Sequence, residues 1–482
     1  MTRRAILSTL ATLAVVAVVL GCLPGDAGPD ATRRPNILLI SVDTLRADHL
    51  GAYGYDRATS PRLDRLAARG TRFADCTVQW PKTWPSMASM LTGAHPKTIG
   101  VTRAQHTLHG GVETLAERFR EHGFATAAVV ANVNLSDRFG FSQGFDHFVE
   151  SWSEARRETN GPVQHSGGVK RYTNARVVSD QGLAWLRDVD RSRPWFLWLH
   201  YIDPHGPYQP PAAYADRFTD RPYPTRDVPD EHMPRYQQQV DADGEPIRAL
   251  GHYLANYDRE IRFFDDEMGR LLDAIEAAGF ARDETLIVFT ADHGESFGEH
   301  EYWLEHGLLP YQSTAHVPLI LAYDGVVPSG RVVERPVGLI DLAPTLVELA
   351  GLDPMATFEG RSLVPTLTDD QAGPRYVFME SGYHEATQLA IREGSWKLVL
   401  VRADDDRQRM TGEEVELYDL SIDPGELVNV ASEHPERTTR LRKTLEAWYR
   451  SGVRAVDVGG ELDIEALDPE EREQLRALGY ID

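Results

Sequence analysis

Cysteine is almost missing from this chain: Cys22 and Cys76 are the two in 482 residues. A disulfide framework is therefore excluded as a source of stability, even in an oxidising compartment. Positive charge is also short, with 50 Lys and Arg against 73 Asp and Glu and a formal net charge of -23. That balance argues against a nucleic-acid backbone as partner, because phosphate contacts need a basic footprint. An anionic substrate has to be drawn by a local metal or cation cluster, against the mean field of the protein. The apolar run Ala5 to Leu20 is broken by Ser8, Thr9 and Thr12 and is short for a membrane span. Internal repeats and extended low-complexity tracts are absent too. What is present, 42% hydrophobic and 26% charged residues, is ordinary for a globular protein large enough for a main domain and a smaller companion.

The first residues read as a targeting segment. Arg3 and Arg4 precede the apolar run, Gly21-Cys22 closes it, and Leu23 to Asp30 is rich in Pro, Gly and Asp. Val19-Leu20-Gly21-Cys22 resembles a bacterial lipobox, with Cys22 as the lipidated first residue, although Leu20 stands where a small residue is usual. Simple signal-peptide cleavage or an uncleaved anchor is the alternative. The expectation is an exported lipoprotein, held to a membrane through an N-terminal lipid on the periplasmic or cell-surface side.

Beyond the leader, apolar runs of strand length alternate with helical patterns. Ile37 to Val42 ends at Asp43, Thr126 to Ala131 at Asn132, Trp195 to Ile202 at Asp203-Pro204-His205, and Leu286 to Thr290 leads to Asp292-His293. Val317 to Tyr323 is a further run, and Ala255 to Ala278 reads as a long amphipathic helix. Uninterrupted Val/Ile/Leu strands between helices predict a parallel sheet buried on both faces. Ligands bind outside the carboxyl ends of such strands. One Asp after one strand is ordinary turn chemistry; four polar endings at one sheet edge predict a site. From Asp203 to His252 the sequence turns rich in Pro, Asp and Tyr, a candidate lid or specificity loop over that edge. After Leu363 shorter strands follow, at Tyr376 to Met379 and Trp396 to Val401, then a charged helical stretch from His434 to Tyr449.

Thr83 to Gly93 reads as a short helix, with Pro85 in its first turn and Gly93 as its stop. Thr83 just before that helix is either a cap or a group placed where free N–H donors favour an anion. Asp43, Asp292 and His293 weigh towards the second reading: two carboxylates and an imidazole bind a divalent cation, and a Thr oxygen supplies a further ligand. Such an ion would lower the Thr83 hydroxyl pKa for attack on tetrahedral sulfur or phosphorus. Individually, Asp292 reads equally as a helix cap and His293 as a buried core histidine. His300-Glu301 invites a zinc-protease reading, but Leu304 stands where the second His is required. His205 and His306 are placed as donors to ester oxygens or as leaving-group acids, in an order the sequence leaves open.

These residues resemble the sulfatase family of the alkaline phosphatase superfamily. The matching pieces run in family order: Pro35-Asn36-Ile37 to Asp43, Pro85-Ser86 to Leu91-Thr92-Gly93, Asp203-Pro204-His205-Gly206-Pro207-Tyr208, Thr290-Ala291-Asp292-His293-Gly294-Glu295, Asp341 to Leu346, Gly360-Arg361-Ser362-Leu363 and Glu416 to Leu420. The resemblance implies an α/β fold: an alkaline-phosphatase-like mixed, mostly parallel sheet sandwiched by helices, with a small C-terminal α+β subdomain. Together with the reading of the first residues it gives these boundaries: leader 1–22, linker 23–34, sulfatase-like catalytic domain 35–365, C-terminal subdomain and helical tail 366–482.

The departures have a chemical direction. Thr83 holds the position of the Cys or Ser that the family converts to formylglycine, and Met87 that of its Arg. Thr44 replaces a second Asp, His293 an Asn, Asn132 lies where the family's Gly-Lys-Trp-His segment would be, and His306 stands for a Lys. Formylglycine hydrate sheds sulfate by collapsing to an aldehyde, which a threonine ester cannot do, whereas water or an acceptor alcohol resolves a phosphothreonine. The expectation is a metal-dependent hydrolase or transferase of phosphate or sulfate esters, phosphodiesters favoured. Thr83, His205 and His306 would act in catalysis, Asn132 in substrate binding, and Asp43, Thr83, Asp292 and His293 as ligands of one divalent ion. Mn²⁺ or Zn²⁺ is favoured over Ca²⁺ because His293 brings nitrogen to the site. The reading from another class is a catalytically inactive surface binding protein that kept the fold.

Overall fold

The computed structural model describes residues 34–102, 106–152, 173–369, 375–382, 388–401 and 415–451, with positions 467, 472, 475 and 476. The leader, Cys22 and the linker up to residue 33 lie outside the described residues, and so does the membrane-anchor expectation that rests on them.

Among the described residues a nine-stranded sheet is built from β1 (Asn36–Val42), β2 (Thr71–Thr77), β3 (Ala125–Val130), β4 (His147–Glu150), β5 (Trp195–Tyr201), β6 (Thr285–Ala291), β9 (His316–Ala322), β10 (Arg331–Val333) and β11 (Val337–Gly338). The short β7 (Ser296–Phe297) and β8 (Trp303–Glu305) form a separate hairpin. In the large sheet the order is β10-β2-β9-β6-β1-β5-β3-β4, with β11 beside β2. Strands β6, β1, β5, β3 and β4 are mutually parallel. β9 runs antiparallel to both β2 and β6, which makes the sheet mixed. A run such as His316–Ala322 carries no sign of its own direction, and the mixed, mostly parallel sheet is the one that the family resemblance implies.

Every residue of β1, β3, β5 and β6 is buried. Because alternate side chains face opposite ways, that pattern requires cover on both faces. Helices supply it. Leu250–Ala277 presents Tyr253, Tyr257, Ile261, Phe264, Met268, Leu271 and Ile275 as a buried stripe at helical spacing. It starts five residues before the expected Ala255, since no capping side chain marks its beginning at Ala249. Helix Ala175–Asp188 packs beside it and against β5 and β3.

The C-terminal strands β12 (Tyr376–Ser381), β13 (Gln388–Glu393), β14 (Trp396–Val401) and β15 (Val415–Asp419) form an antiparallel sheet in that order. Its alternation is clean. Leu389, Ile391, Leu398, Leu400 and Leu417 pack with Trp80 and with Leu441 and Leu445 of the helix Pro435–Ser451. Met379, Ala390, Val399 and Tyr418 on the other face join the main core.

Candidate metal centre and active site

The carboxyl ends of β6, β1, β5 and β3 are neighbours, so the four polar endings converge at one edge. Asp43 follows β1 and Asp292 follows β6, one residue beyond the register pair Val42–Ala291. Thr44 holds φ +53°, unusual for a β-branched residue, and its N–H donates to Asp292 Oδ1 at 3.0 Å. The N–H of His293 donates to the same oxygen at 2.7 Å. Tyr257 clamps this turn, its hydroxyl donating to Thr44 O at 2.6 Å and accepting from Arg46 N at 2.9 Å.

Asp43, Asp292 and His293 are fully buried, and one ligand atom from each lies within 4.8 Å of the others. His293 Nδ1 donates to Gly294 O at 2.8 Å, which leaves the Nε2 lone pair facing inward. Nε2 lies 3.4 Å from Asp292 Oδ2, 4.0 Å from Asp43 Oδ1 and 3.2 Å from Thr83 Oγ1. Among the described residues no protein donor reaches buried Asp43 Oδ1 or Asp292 Oδ2 with full hydrogen-bond geometry, and the Thr83 hydroxyl is a polar group that approaches Asp292. Two carboxylate oxygens left bare in the interior are costly unless a cation faces them. These donors fit one divalent ion, with Thr83 Oγ1 as the fourth oxygen or nitrogen at its edge.

Electrostatics point the same way. Burial pushes the Asp43 carboxyl up, but His205, His200 and His293 around it outweigh that and hold it below the usual carboxylate range. Asp292 is pushed well above that range, first by burial and then by the Asp43 charge. Two carboxylates this close do not both ionise without a cation between them. Burial, and next His306, drives His293 well down, keeping it the neutral ligand a metal needs.

Thr83 is the first residue of the helix Thr83–Thr92, with Lys82 at the cap position, so the helix starts one place earlier than the sequence suggests. Gly93 ends that helix at φ +66°, as expected of the stop. Ser86 of the first turn donates to Asp292 O at 2.6 Å, tying the helix to β6. Burial brings Lys82 down to about 8.

The His306 ring lies beside that of His293, tilted by 31° with centroids 4.2 Å apart, and the His205 ring is 5.3 Å from that of His306. Glu295 Oε1 accepts from His306 Nδ1 at 3.2 Å, and Tyr208 donates to Glu295 Oε2 at 2.9 Å. His205 Nδ1 donates to Gly206 O at 2.7 Å, and burial lowers its pKa. The long excursion reaches this group: Tyr236 donates to Leu304 O at 3.0 Å and its ring lies 6.3 Å from that of His205. His300 does not join the centre; it stacks on Tyr311 at 3.5 Å.

Asn132 turns its Nδ2 to Asp43 Oδ2 at 2.6 Å, while its Oδ1 accepts from Asn134 N and Nδ2. Sequence reasoning missed His200, whose Nε2 lies 3.4 Å from the same Asp43 oxygen. The signal was available in the sheet register: Ser41, His200 and Val130 are partners across β1, β5 and β3, and Asp43 and Asn132 each lie two residues further on. A separate cleft of about 830 Å³, lined by Arg46, Tyr223, Phe297, His300, Glu416 and Tyr418 among others, excludes Asp43, Thr83, Asp292 and His293 from its walls. The chemistry-bearing groups are those at the strand ends, not those lining this cleft.

Residues 35–352 match the family model described as Sulfatase, and residues 298–450 the model described as N-sulphoglucosamine sulphohydrolase, C-terminal. An arylsulfatase of Clostridium perfringens is 28% identical over 466 residues, covering 86% of this chain and 94% of that protein. A protein solved in complex with its substrate D-glucosamine-2-N,6-O-disulfate superposes with a TM-score of 0.71 at 21% identity, over 87% of this chain and 98% of its own. A phosphonate monoester hydrolase of Agrobacterium radiobacter superposes with a TM-score of 0.67 at 24% identity, over 87% of this chain and 96% of its own. At these identities the two structural likenesses speak for the fold.

Proposed function

The chain belongs to the sulfatase family of metal-dependent ester hydrolases, and within it we propose an enzyme that cleaves phosphate or sulfate esters through Thr83, with phosphodiesters favoured. The observation that carries the reading is the convergence of two bare carboxylate oxygens, Asp43 Oδ1 and Asp292 Oδ2, with His293 Nε2 and Thr83 Oγ1.

Asp43, Asp292, His293 and Thr83 would hold the ion, Mn²⁺ or Zn²⁺ before Ca²⁺ given the imidazole. When bound, it supplies a positive charge that lowers the Thr83 hydroxyl pKa and offsets the charge on the ester oxygens. The remaining work falls to side chains. Thr83 gives up its hydroxyl proton to solvent, and Oγ1 forms the bond to phosphorus or sulfur as the bond to the leaving ester oxygen breaks on the opposite side. His306, with Nδ1 fixed by Glu295, is oriented to pass a proton from Nε2 to that oxygen, and His205 flanks the same space. Water then hydrolyses the threonine ester. Asn132 gives one amide hydrogen to Asp43 Oδ2, the oxygen turned away from the ion, and its second amide hydrogen is the one that would bind substrate.

Phosphodiesters are favoured on two grounds. A threonine ester of phosphate is resolved by water, and Met87, buried where the family has Arg, offers no charge to a dianion. The leader reading adds export and lipid anchoring to the proposal. The test compares aryl phosphodiester, phosphomonoester and sulfate turnover by purified wild type and Thr83→Ala. Thr83-dependent turnover, fastest on the diester, is expected. Thr83-dependent turnover fastest on the sulfate would overturn the phosphate preference and leave the site standing.

A further inference from the structure

We propose that Trp198, Ser41 and His200 set which divalent ion the centre prefers, by holding Asp43 as a one-oxygen ligand. The inference rests on reading Asp43, Asp292 and His293 as a metal site. Ser41 and His200 are register partners on the parallel strands β1 and β5, and Trp198 precedes His200 by two residues, on the same face. All three are buried.

The direction of each hydrogen bond follows from what each atom can do. Trp198 Nε1–H only donates, and it donates to Ser41 Oγ at 2.9 Å. The single Ser41 hydroxyl hydrogen is then left for His200 Nδ1, also 2.9 Å away. With Nδ1 accepting, the neutral imidazole carries its hydrogen on Nε2. That atom faces Asp43 Oδ2 at 3.4 Å, at the long end of a hydrogen bond. Asn132 donates to the same oxygen at 2.6 Å, and the two Asn134 donors on its Oδ1 fix which way its amide points. Asp43 Oδ2 is thus held by two protein donors, and Oδ1 by none among the described residues.

A carboxylate with one oxygen engaged presents the other alone. Ca²⁺ favours about 6–8 oxygen ligands and gains from bidentate carboxylates, whereas imidazole with few oxygens suits Mn²⁺ or Zn²⁺. His200 is therefore a positioning residue acting through Asp43. Removing its donor would free Oδ2 to swing towards the ion and would weaken the discrimination against Ca²⁺.

The experiment is calorimetric titration of the metal-stripped full chain with Mn²⁺, Zn²⁺ and Ca²⁺, for wild type, His200→Phe, His200→Gln and Ser41→Ala. In His200→Phe, Mn²⁺ and Zn²⁺ affinity is expected to fall about 10–100-fold, as for lost outer-shell partners. Ca²⁺ affinity should change less, narrowing the ratio about 10-fold. His200→Gln, whose amide can donate to Oδ2, should recover part of the ratio. Ser41→Ala, which leaves the His200 ring in place, should move it the same way as His200→Phe and serves if that variant does not fold. Affinities that fall equally for all three ions, or not at all, would overturn the inference. Wild type that binds none of them overturns the metal reading itself, a different and recognisable result.

Discussion

Thr83 Oγ1 lies 3.2 Å from His293 Nε2, and that nitrogen is 3.4 Å from Asp292 Oδ2. Helix and sheet thus bring a hydroxyl, an imidazole lone pair and a bare carboxylate oxygen to one point. The Ser86 hydroxyl on Asp292 O keeps the helix start from drifting away from the strand end.

Replacing Thr83 by Ala removes the proposed attacking oxygen and one candidate ligand. Turnover of the best ester should fall by at least about 10³-fold, in line with loss of a nucleophile elsewhere. Thr83→Ser keeps the hydroxyl and should keep most of the rate. Steady-state kinetics on both variants, with circular dichroism to verify folding, checks this.

Asp292→Asn separates charge from shape. An Asn oxygen can still accept from Thr44 N and His293 N, the two bonds that Asp292 Oδ1 makes. Stability of the ion-free protein should therefore change by less than about 1 kcal/mol, while ion affinity should drop by two orders of magnitude or more. In wild type, burial and Asp43 push Asp292 up, which favours its protonated form while no ion is bound, so ion binding would release a proton. Affinity should then weaken as pH falls. Calorimetry in buffers of different ionisation enthalpy counts the proton.

Much of this centre was legible in the sequence. Asp43, Asn132, His205 and Asp292-His293 each follow an apolar run, and position at a strand end is a local signal. The sheet order then made them neighbours. His200 was hidden because it lies inside a strand whose seven residues are all buried, where a lone His reads as core. What distinguishes it is Ser41 across the sheet and Asp43 two residues on, and that relation exists only once the register is known. The antiparallel β9 was illegible for a similar reason: direction is set by pairing, not by composition. The Glu295–His306 contact spans the short β7–β8 hairpin, which leaves only a weak pattern in its few residues.

Acid stability should depend on His95, which is buried against Trp448 with ring centroids 4.9 Å apart. Burial, with Lys97 adding to it, brings this imidazole from 6.5 down to about 3. The folded state thus keeps it neutral where the unfolded chain binds a proton. Stability is unaffected above the unfolded value of 6.5 and is lost as pH falls from there towards about 3. The slope from this group is at most about 1.4 kcal/mol per pH unit. Denaturant unfolding at pH 7 and pH 5 should differ less in His95→Gln than in wild type, by about 2 kcal/mol.

Gly93 closes the helix that carries Thr83, at φ +66°, and a Cβ there would lie 2.4 Å from Phe358 Cδ1. Gly93→Ala should cost about 1–3 kcal/mol, from backbone strain and overpacking together. Thermal unfolding of the ion-free protein is the direct check.

The central claim is that Thr83 becomes covalently bonded to the ester's phosphorus or sulfur during turnover. It is tested by rapid acid quench of wild type turning over an aryl phosphodiester, followed by mass spectrometry of the peptide that contains Thr83. A mass increase on Thr83 that appears only with divalent ion present, and is absent in Thr83→Ala, is the expected result. Turnover that leaves Thr83 unmodified and proceeds undiminished in Thr83→Ala would contradict it.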